Sequence, residues 1–390
     1  MSKRLGIFVT HPIQYFAPLW RRLASVPDLS VRVHFFSDHS VRGGVDPFFK
    51  VPVAWDRPLL DGYDHCFIHR DADLSRPFHV SLPDARAILR DGQFDWVMIH
   101  GYTYRFEIQL IRAARRLGVP VLLWGDLNEP RSHDGPKKWY VRMLRRTYLK
   151  WFYSHIHRFC YVGQMARQHL LRMGINEEQM FFCPRSVDSD FFEEQYRQLD
   201  REQCRRQLGI GGEQLVILFS GKFTPIKDPF VLLEAVARLE GKERVTLLML
   251  GEGDLRERIQ SRAREVLSDR AIFPGFVNQT QLGRYYRAAD ICVLPSISES
   301  WGLVINETMI FGLPAVVSKG VTCGPDLALE GQTGFVFPVG SVEGLSASLQ
   351  KFLNSPKLVR VMGTAAREHV RNYSLDATAS GIVQALGLKI

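Results

Sequence analysis

The stretch SESWGLVINETMIFGLP, from Ser298 to Pro314, places two carboxylates eight positions apart around a short apolar run. On a helix, eight steps turn the chain by about 80° from the starting face and advance it by about 12 Å. Glu299 and Glu307 would therefore not share a helix face, and we expect them to have separate roles.

A helix that begins near Gly302 would leave Glu299 on the preceding loop and place Glu307 inside the helix. The first N–H groups of a helix lack intrahelical partners and favour anions. A carboxylate for sugar hydroxyls, a helix N-terminus for phosphate and a second carboxylate for ribose would together suit a nucleotide-sugar. The alternative for the same spacing is a buried helix whose two glutamates face solvent.

Apolar runs alternate with helical patterns along the whole chain, which predicts a parallel α/β architecture. Its 390 residues suit two domains better than one. Helical patterns follow several of the runs, as at Tyr15–Ala24 and Phe106–Leu117. The predicted strands are Leu5–Val9, Val31–Phe36, Trp96–His100, Val119–Trp124 and Phe159–Val162, then Leu215–Ser220, Val245–Leu250, Ala271–Phe273, Ile291–Leu294, Ala315–Ser318 and Gly334–Phe337.

The opening segment resembles the donor-site signature of glycosyltransferase family 4, whose C-terminal domain is of the group 1, glycogen synthase-like type. The resemblance implies the GT-B fold, in which two Rossmann-like parallel-sheet domains face each other across a cleft. It also implies transfer of a hexosyl group from a nucleotide-sugar, such as a UDP- or GDP-sugar, to a hydroxyl acceptor with retention, without metal or cofactor. The matching residues are Pro295, Ser296, Glu299, Gly302, Leu303, Glu307, Gly312 and Pro314.

The domain boundary is expected where the segment FCPRSVDSDFF leaves a strand and enters a polar helical pattern. This segment is also similar to family 4, with Ser186 in place of a more usual Asn. We expect an acceptor-side domain at residues 1–188 and a donor-binding domain at residues 189–373. Residues 374–390 would form a helix that crosses back to the first domain.

Two lysines follow the first predicted strand of the second half. Gly221-Lys222 and Lys227 lie on one loop, and two cations beside flexible backbone suit a diphosphate. The family usually has Arg where this chain has Lys222. Lysine keeps the positive charge but lacks the planar guanidinium that can bind a phosphate through two N–H groups at once. The alternative is a surface loop with ordinary lysines.

Glycines mark two more loops of the second half. Gly251 and Gly253 form a weak dinucleotide fingerprint, because Leu255-Arg256 occupies the place of the third glycine, and we interpret the pair as a turn. By the resemblance, Gly275, Phe276 and Val277 would line the nucleobase pocket. The alternative for Phe276 is a core position.

The first half carries the expected acceptor side, with His11, Gln14, His100 and Tyr102 placed just after predicted strands. Asp126 stands where many family members place a histidine that contacts the donor sugar, so its carboxylate is expected to replace that contact. A structural role is the alternative for His11. The candidate catalytic residues are therefore Glu299, Lys227, Lys222, Asp126 and His11, and no metal site is expected.

The net charge of +9 is concentrated in the first half, where residues 1–190 hold 27 basic and 19 acidic residues. No acidic residue occurs between Asp134 and Glu177, and the gap contains the basic, aromatic stretch Lys137–Arg158. This stretch is typical of a surface that docks on anionic lipid headgroups. Its alternative is a half-buried domain helix with a solvated basic face, and nucleic acid is not an expected partner.

The remaining features are those of a soluble cytoplasmic protein that could attach peripherally to the inner face of the membrane. The six cysteines are scattered, as reduced thiols would be, and no apolar run reaches the ~18 residues of a spanning helix. We expect no signal peptide. The acceptor would be a lipid-linked saccharide or a growing polysaccharide. Two alternatives remain open, a nucleotide-sugar epimerase on the same fold and a non-catalytic nucleotide-sugar-binding scaffold.

Overall fold

The computed structural model describes residues 2–45, 52–53, 55–127 and 139–388, with the side chains of 44–45 and 52–53 left out. The chain forms two compact units. The first contains Met1–Gly44, Pro58–Arg185 and Leu375–Ile390, and the second contains Val45–Arg57 and Ser186–Ser374. Residues 128–138 lie outside the described residues, and so Lys137 and Lys138, the start of the predicted basic, aromatic stretch, cannot be placed.

The first unit is built on a seven-stranded parallel sheet with strand order β5-β2-β1-β6-β7-β8-β9. Its strands are β1 Lys3–Val9, β2 Leu29–Phe35, β5 Asp64–Phe67, β6 Trp96–Ile99, β7 Val121–Gly125, β8 Arg158–Tyr161 and β9 Met180–Phe182, while β3 Gly44–Val45 and β4 Pro52–Val53 pair separately. Its helices are α1 Ala17–Ala24, α2 His39–Arg42, α3 Ala85–Gly92, α4 Arg105–Leu117, α5 Trp139–Tyr153 and α6 Gln164–Met173.

The second unit repeats this plan with a six-stranded parallel sheet of order β12-β11-β10-β13-β14-β15. Its strands are β10 Leu215–Ser220, β11 Val245–Leu250, β12 Ala271–Gly275, β13 Ile291–Leu294, β14 Ala315–Ser318 and β15 Gly334–Phe337. Its helices are α7 Ser189–Gln198, α8 Arg201–Gln207, α9 Pro229–Ala237, α10 Arg256–Leu267, α11 Gln279–Ala288, α12 Leu303–Ile310, α13 Gly324–Leu327, α14 Val342–Asn354 and α15 Pro356–His369.

The apolar runs of the sequence form the central strands, which are buried on both faces as parallel strands covered by helices should be. Strands β10, β11, β13 and β14 are almost completely buried. Two strands of the large sheets, β5 and β9, were given no predicted range, and the short strands β3 and β4 were not predicted either. Both β5 and β9 lie at sheet edges and are partly exposed. Strand β5 has the sequence DHCF, without a continuous apolar run, and β9 is only three residues long.

The last helix, α16 (Leu375–Ala385), packs against α1 and β9 of the first unit. The Thr378 hydroxyl donates to the carbonyl of Pro184 at 2.7 Å, and Arg158 donates to the carbonyl of Ala385 at 2.6 Å. Gly381 lies so close to β9 that a Cβ atom there would overlap with the carbonyl oxygen of Phe182. The absence of a side chain at this position therefore permits the close packing of α16.

The sequence analysis expected reduced cysteines and no membrane-spanning helix. The six cysteines are all free thiols, and five of them are buried. In the described part of the chain, no helix is both long enough and apolar enough to cross a bilayer.

Replacement of Gly381 by Ala should destabilise the first unit by roughly 1–3 kcal/mol, because the added methyl group must push α16 away from β9. The effect is measured as a lower midpoint in thermal or urea unfolding. Gln384→Ala, at an exposed position of the same helix, is the matched control and should leave the midpoint nearly unchanged. Equal midpoints for Gly381→Ala and the unmodified protein would contradict the close packing.

Candidate functional site

The carboxyl ends of three neighbouring strands in the second unit are joined by backbone hydrogen bonds. The N–H of Gly221, after β10, donates to Leu250 of β11 at 2.9 Å, and the N–H of Gly251 donates to Gly275 of β12 at 2.9 Å. Ligands of open α/β sheets bind at this edge of the sheet. The predicted donor-side glycines are thus brought together at the edge where a nucleotide would bind.

Gly251 and Gly253 adopt φ values of +143° and +146°, which residues with side chains rarely adopt. A Cβ atom on Gly251 would overlap with the carbonyl oxygen of Gly221, and one on Gly253 would lie 2.7 Å from that of Phe223. The glycine pair forms a turn that lets the loops after β10 and β11 touch.

Lys227 and Glu299 form an ion pair at the same edge. Lys227 ends a 3-10 turn, Pro225–Lys227, and its Nζ donates to Oε2 of Glu299. The two loops are also joined through the backbone, where the N–H of Ile297 donates to Ile226 at 2.8 Å. Only 21% of the Lys227 side chain and 17% of the Glu299 side chain are exposed, so this pair is shielded from solvent.

The alternative of an ordinary surface lysine does not hold for Lys227. Burial lowers its pKa to about 8, and the positive charge of nearby Lys222 adds to that effect. The carboxylate of Glu299 acts in the opposite direction, because it favours the charged amine. The loop therefore holds a partly desolvated cation whose charge depends on its neighbours.

Helix α12 starts directly after Gly302, as the sequence predicted, and Leu303 is its first residue. Gly302 has a φ of +101°, and a Cβ atom there would lie 2.8 Å from Cδ2 of Leu294. Glycine is needed at this position for both reasons. The first N–H groups of α12 follow this turn directly, and Glu299 lies on the loop that leads into the helix.

Glu307 is only 2% exposed, so the alternative of a solvent-facing glutamate is wrong for this residue. It lies inside α12, and its Oε2 accepts a hydrogen bond of 2.6 Å from the hydroxyl of Tyr286 on α11. Burying a carboxylate is costly unless other groups solvate it. Sequence reasoning missed Tyr286, which only the packing of α11 against α12 brings to this carboxylate.

Phe276 and Val277 follow β12 and are half-buried, so the core alternative for Phe276 does not hold. The ring of Trp55 lies against Phe276 in an edge-on arrangement, with 6.5 Å between the ring centroids. Trp55 was not among the predicted site residues. Its position in a loop with no helix or strand pattern gave no signal.

In the first unit, the predicted acceptor-side residues follow β1 and β6, and Asp126, the predicted donor-sugar contact, follows the neighbouring strand β7. His11 and Gln14 come after β1, His100 and Tyr102 after β6, and Asp126 after β7. Because the strands are parallel, these residues are brought to one edge.

Two buried polar atoms at this edge have no hydrogen-bond partner among the described residues, namely Oε1 of Gln14 and Nε2 of His100. Burial, together with the charge of Arg185, lowers the pKa of His100 well below its usual value. The pKa of His11 falls to about 4, mainly because of burial and further because of His39, whose ring centroid is 4.4 Å away. Both imidazoles are therefore neutral near pH 7.

Asp126 is held by a residue that the sequence analysis did not consider. Arg185 donates to both carboxylate oxygens of Asp126, at 2.9 and 3.1 Å. The guanidinium lies over the rings of Phe16 and Trp124, 4.9 and 4.7 Å from their centroids. Such bidentate pairs are strong and directional. Asp126 is thus fixed in place.

Helix α5 contains most of the basic, aromatic stretch and is only partly covered. Its C-terminal half is anchored by Leu149, Phe152 and Tyr153, which are buried. Its first turns are exposed, with 68% of Trp139 and 64% of Leu144 accessible to solvent. The last two turns of α5 are therefore half-buried, as the alternative interpretation expected, whereas the first two turns are exposed.

Two substitutions should shift the pKa of Lys227 in opposite directions. Lys222→Ala should raise it, because a nearby positive charge is removed, and Glu299→Gln should lower it, because the carboxylate that favours the charged amine is removed. The pKa can be followed by NMR of protein labelled at the lysine ε-carbon, with the Lys227→Arg spectrum identifying the signal. The exposed Lys357→Ala serves as the control. A pKa that stays near 10.5 in all variants would contradict the burial of this amine.

Two family models match separate halves of the chain. The model described as Glycosyl transferases group 1 matches residues 200–369, and the model described as Glycosyltransferase Family 4 matches residues 29–191. The chain is 32% identical over 320 residues to the D-inositol 3-phosphate glycosyltransferase of Streptomyces griseus subsp. griseus, an alignment that covers 75% of this chain and 66% of the relative. The chain spans about half to two-thirds of the length of the curated relatives it matches, with shares of 49% and 66% in the first two.

Solved structures share the fold across nearly the whole chain. Sucrose-phosphate synthase from Thermosynechococcus elongatus has a TM-score of 0.73 at 18% identity, with 98% of each chain covered. The Anabaena protein HepE, solved in complex with UDP and glucose, has a TM-score of 0.71 at 14% identity, with 99% of this chain and 100% of that chain covered. The predicted α/β GT-B fold class is confirmed, and the chain belongs to the group 1, family 4 glycosyltransferases.

Proposed function

We propose that the protein transfers a hexosyl group from a nucleotide-sugar, either a UDP- or a GDP-sugar, to a hydroxyl acceptor with retention of the anomeric configuration. The observation that carries the proposal is the shielded Lys227–Glu299 pair beside the start of α12. It combines a cation for a leaving diphosphate with a carboxylate for sugar hydroxyls. The structural relative solved with UDP and glucose supports UDP as the first nucleotide to test.

Each donor-side group has a distinct role in this proposal. Lys222, Lys227 and the first N–H groups of α12 stabilise the negative charge that develops on the leaving diphosphate, so that protein groups provide the stabilisation a metal would otherwise supply. Glu299 orients the sugar ring through its hydroxyls. Glu307, whose carboxylate accepts from Tyr286, holds the ribose.

The mechanism requires the acceptor hydroxyl to attack the anomeric carbon on the face that the diphosphate leaves. The new glycosidic bond forms as the carbon–oxygen bond to the diphosphate breaks, and the leaving phosphate oxygen takes the acceptor's proton. No protein nucleophile is needed, and configuration is retained. Because Lys227 has a pKa of about 8, its stabilising charge is present at neutral pH and is lost as the pH rises through that value.

We place the acceptor side in the first unit. Oε1 of Gln14 and Nε2 of His100 are buried polar atoms that acceptor hydroxyls could satisfy, and buried polar groups are normally hydrogen-bonded. The neutral imidazole of His11 can likewise accept a proton in a hydrogen bond. For Asp126 we retain the role of a carboxylate that binds the donor sugar. Arg185 holds this carboxylate in place.

We also propose that α5 attaches the protein to an anionic membrane, which would suit a lipid-linked or growing polysaccharide acceptor. Within Trp139–Tyr153 there are four basic residues and no acidic residue. Exposed Trp139, Met143 and Leu144 accompany this charge. A helix with exposed apolar side chains and positive charge suits the boundary between headgroups and acyl chains. Because the curated relatives are named D-inositol 3-phosphate glycosyltransferases, a phosphorylated cyclitol is a further acceptor to test.

Lys227→Ala should lower turnover by about 10²- to 10³-fold with the fold intact, because a fixed positive charge is lost where negative charge develops. The measurement starts with a thermal-shift screen of the unmodified protein against UDP, GDP, ADP, dTDP and their sugars. Turnover of the stabilising nucleotide-sugar is then assayed with saccharide, lipid-linked and cyclitol phosphate acceptors. Lys357→Ala is the matched control, since it removes an exposed lysine from α15.

Near-normal turnover in Lys227→Ala would refute the phosphate role of this lysine. Conversion of the nucleotide-sugar without any acceptor would indicate an epimerase instead. Nucleotide binding with no turnover on any acceptor would favour the non-catalytic scaffold.

The double variant Leu144→Ser with Arg146→Gln should bind vesicles that contain phosphatidylglycerol at least about tenfold more weakly, because burial of one leucine alone is worth about 1.5–3 kcal/mol. Binding of the unmodified protein should fall steeply with salt. Cosedimentation measures both effects. The matched control is Arg360→Gln with Val361→Ser, which removes an exposed basic residue and an exposed apolar residue from α15. Equal vesicle binding by both double variants would refute docking through α5.

A further inference from the structure

A short segment between β2 and β5 belongs to the second unit although its flanking strands belong to the first. The chain leaves the first unit after Gly44, and Val45–Arg57 is part of the second unit before the chain returns at Pro58. Within this segment, three consecutive residues with described side chains make specific contacts, namely Trp55, Asp56 and Arg57. We call these three residues the donor-side segment.

Asp56 anchors the donor-side segment to the start of α11. One carboxylate oxygen accepts from both the N–H and the hydroxyl of Thr280, at 2.9 and 2.5 Å. Thr280 is the second residue of α11, and Asn278 at the N-cap makes no side-chain capping bond. The first N–H groups of a helix need acceptors and favour negative charge. Asp56 therefore provides the capping interaction that the helix's own sequence does not.

Arg57 anchors the donor-side segment a second time, at the start of α7. Its guanidinium pairs with Asp188 at 2.7 Å, with 18% and 14% of the two side chains exposed. The same guanidinium lies 3.9 Å from the ring centroid of Phe191. Asp188 in turn caps α7 by accepting from the N–H of Phe191 at 3.3 Å. Two adjacent residues thus fix the backbone that carries Trp55.

The position of Trp55 is the consequence of these two anchors. Its ring contacts Phe276 edge-on at an interplanar angle of 60°. Phe276 follows Gly275, whose carbonyl accepts from Gly251 at the nucleotide-binding edge of the sheet. Trp55 is only partly buried, so part of its indole remains accessible to a ligand. The contact with Phe276 alone does not require so large a ring.

We propose that Trp55 forms an aromatic wall of the nucleobase subsite and stacks on the base of the donor nucleotide, with Asp56 and Arg57 as positioning residues. This inference rests on the proposed function, since it assumes that a nucleotide-sugar binds at this edge. The indole offers every base a flat aromatic surface, so it contributes affinity rather than choice between bases. Selection of the base is left to the backbone of Gly275–Val277.

The test compares a ligand that has a base with one that has only the diphosphate. UDP, GDP and inorganic pyrophosphate are titrated by calorimetry into the unmodified protein, Trp55→Ala and Trp55→Phe. We expect Trp55→Ala to lose about 5- to 150-fold in affinity for the nucleoside diphosphate that binds, because the stacking of one base on an aromatic side chain contributes a free energy of that size. Pyrophosphate affinity should be unchanged, and Trp55→Phe should retain most of the affinity.

Two further variants separate stacking from structural support. Phe78→Ala, which removes an aromatic ring that is 75% exposed in the first unit, should bind both ligands normally. Asp56→Ala should weaken nucleotide binding less than Trp55→Ala, because it loosens the position of the indole without removing it. Thermal unfolding of every variant shows that the fold is kept.

The outcomes distinguish this inference from the function on which it rests. Nucleoside diphosphate affinity in Trp55→Ala equal to that of the unmodified protein would overturn the stacking role and leave the proposed function standing. Equal losses for the nucleoside diphosphate and for pyrophosphate would also overturn it, because they indicate a structural effect. Absence of any nucleoside diphosphate binding in the unmodified protein would overturn the proposed function itself.

Discussion

The close approach of two backbone segments at the edge of the second sheet is the constraint on which the proposed donor side depends. Gly251 and the carbonyl oxygen of Gly221 are so near that no side chain could stand between them. This contact joins the loop after β11 to the loop that carries Lys222 and Lys227. A bulkier residue at Gly251 would separate the loops, and the cations would lose their position relative to β12.

The chemistry at this edge follows from partial desolvation. Lys227 loses hydration on burial and is repelled by Lys222, and both effects make its charge harder to keep. Glu299 compensates at the same place. A cation in such surroundings gains more from a bound diphosphate than a solvated lysine would, because charge interactions are stronger where water is excluded. Glu307 illustrates the same principle, since a tyrosine hydroxyl replaces part of the hydration that its carboxylate loses.

Three structural features lie outside the donor signature. Arg185, whose guanidinium lies over the rings of Phe16 and Trp124, holds Asp126 in place, so a position where the family often has histidine becomes a rigid carboxylate. The exposed start of α5 offers positive charge and apolar surface together. The donor-side segment reaches the start of α11 from a distant part of the chain. The first and the third depend on residues whose sequence neighbours give no hint of the contact, whereas the basic, aromatic character of α5 was predicted from the sequence.

The sequence by itself determined the parallel α/β class, most strand positions and the start of α12, because continuous apolar runs and a glycine at a left-handed turn are local signals. It gave no range for β5 and β9, since β5 has no continuous apolar run and β9 is only three residues long. Tertiary structure alone decided three contacts. Lys227 pairs with Glu299, the Tyr286 hydroxyl donates to Glu307, and the ring of Trp55 packs against Phe276. The physical reason is that these pairs lie far apart along the chain. Only the packing of strands and helices sets the distance, burial and charge environment on which their chemistry depends.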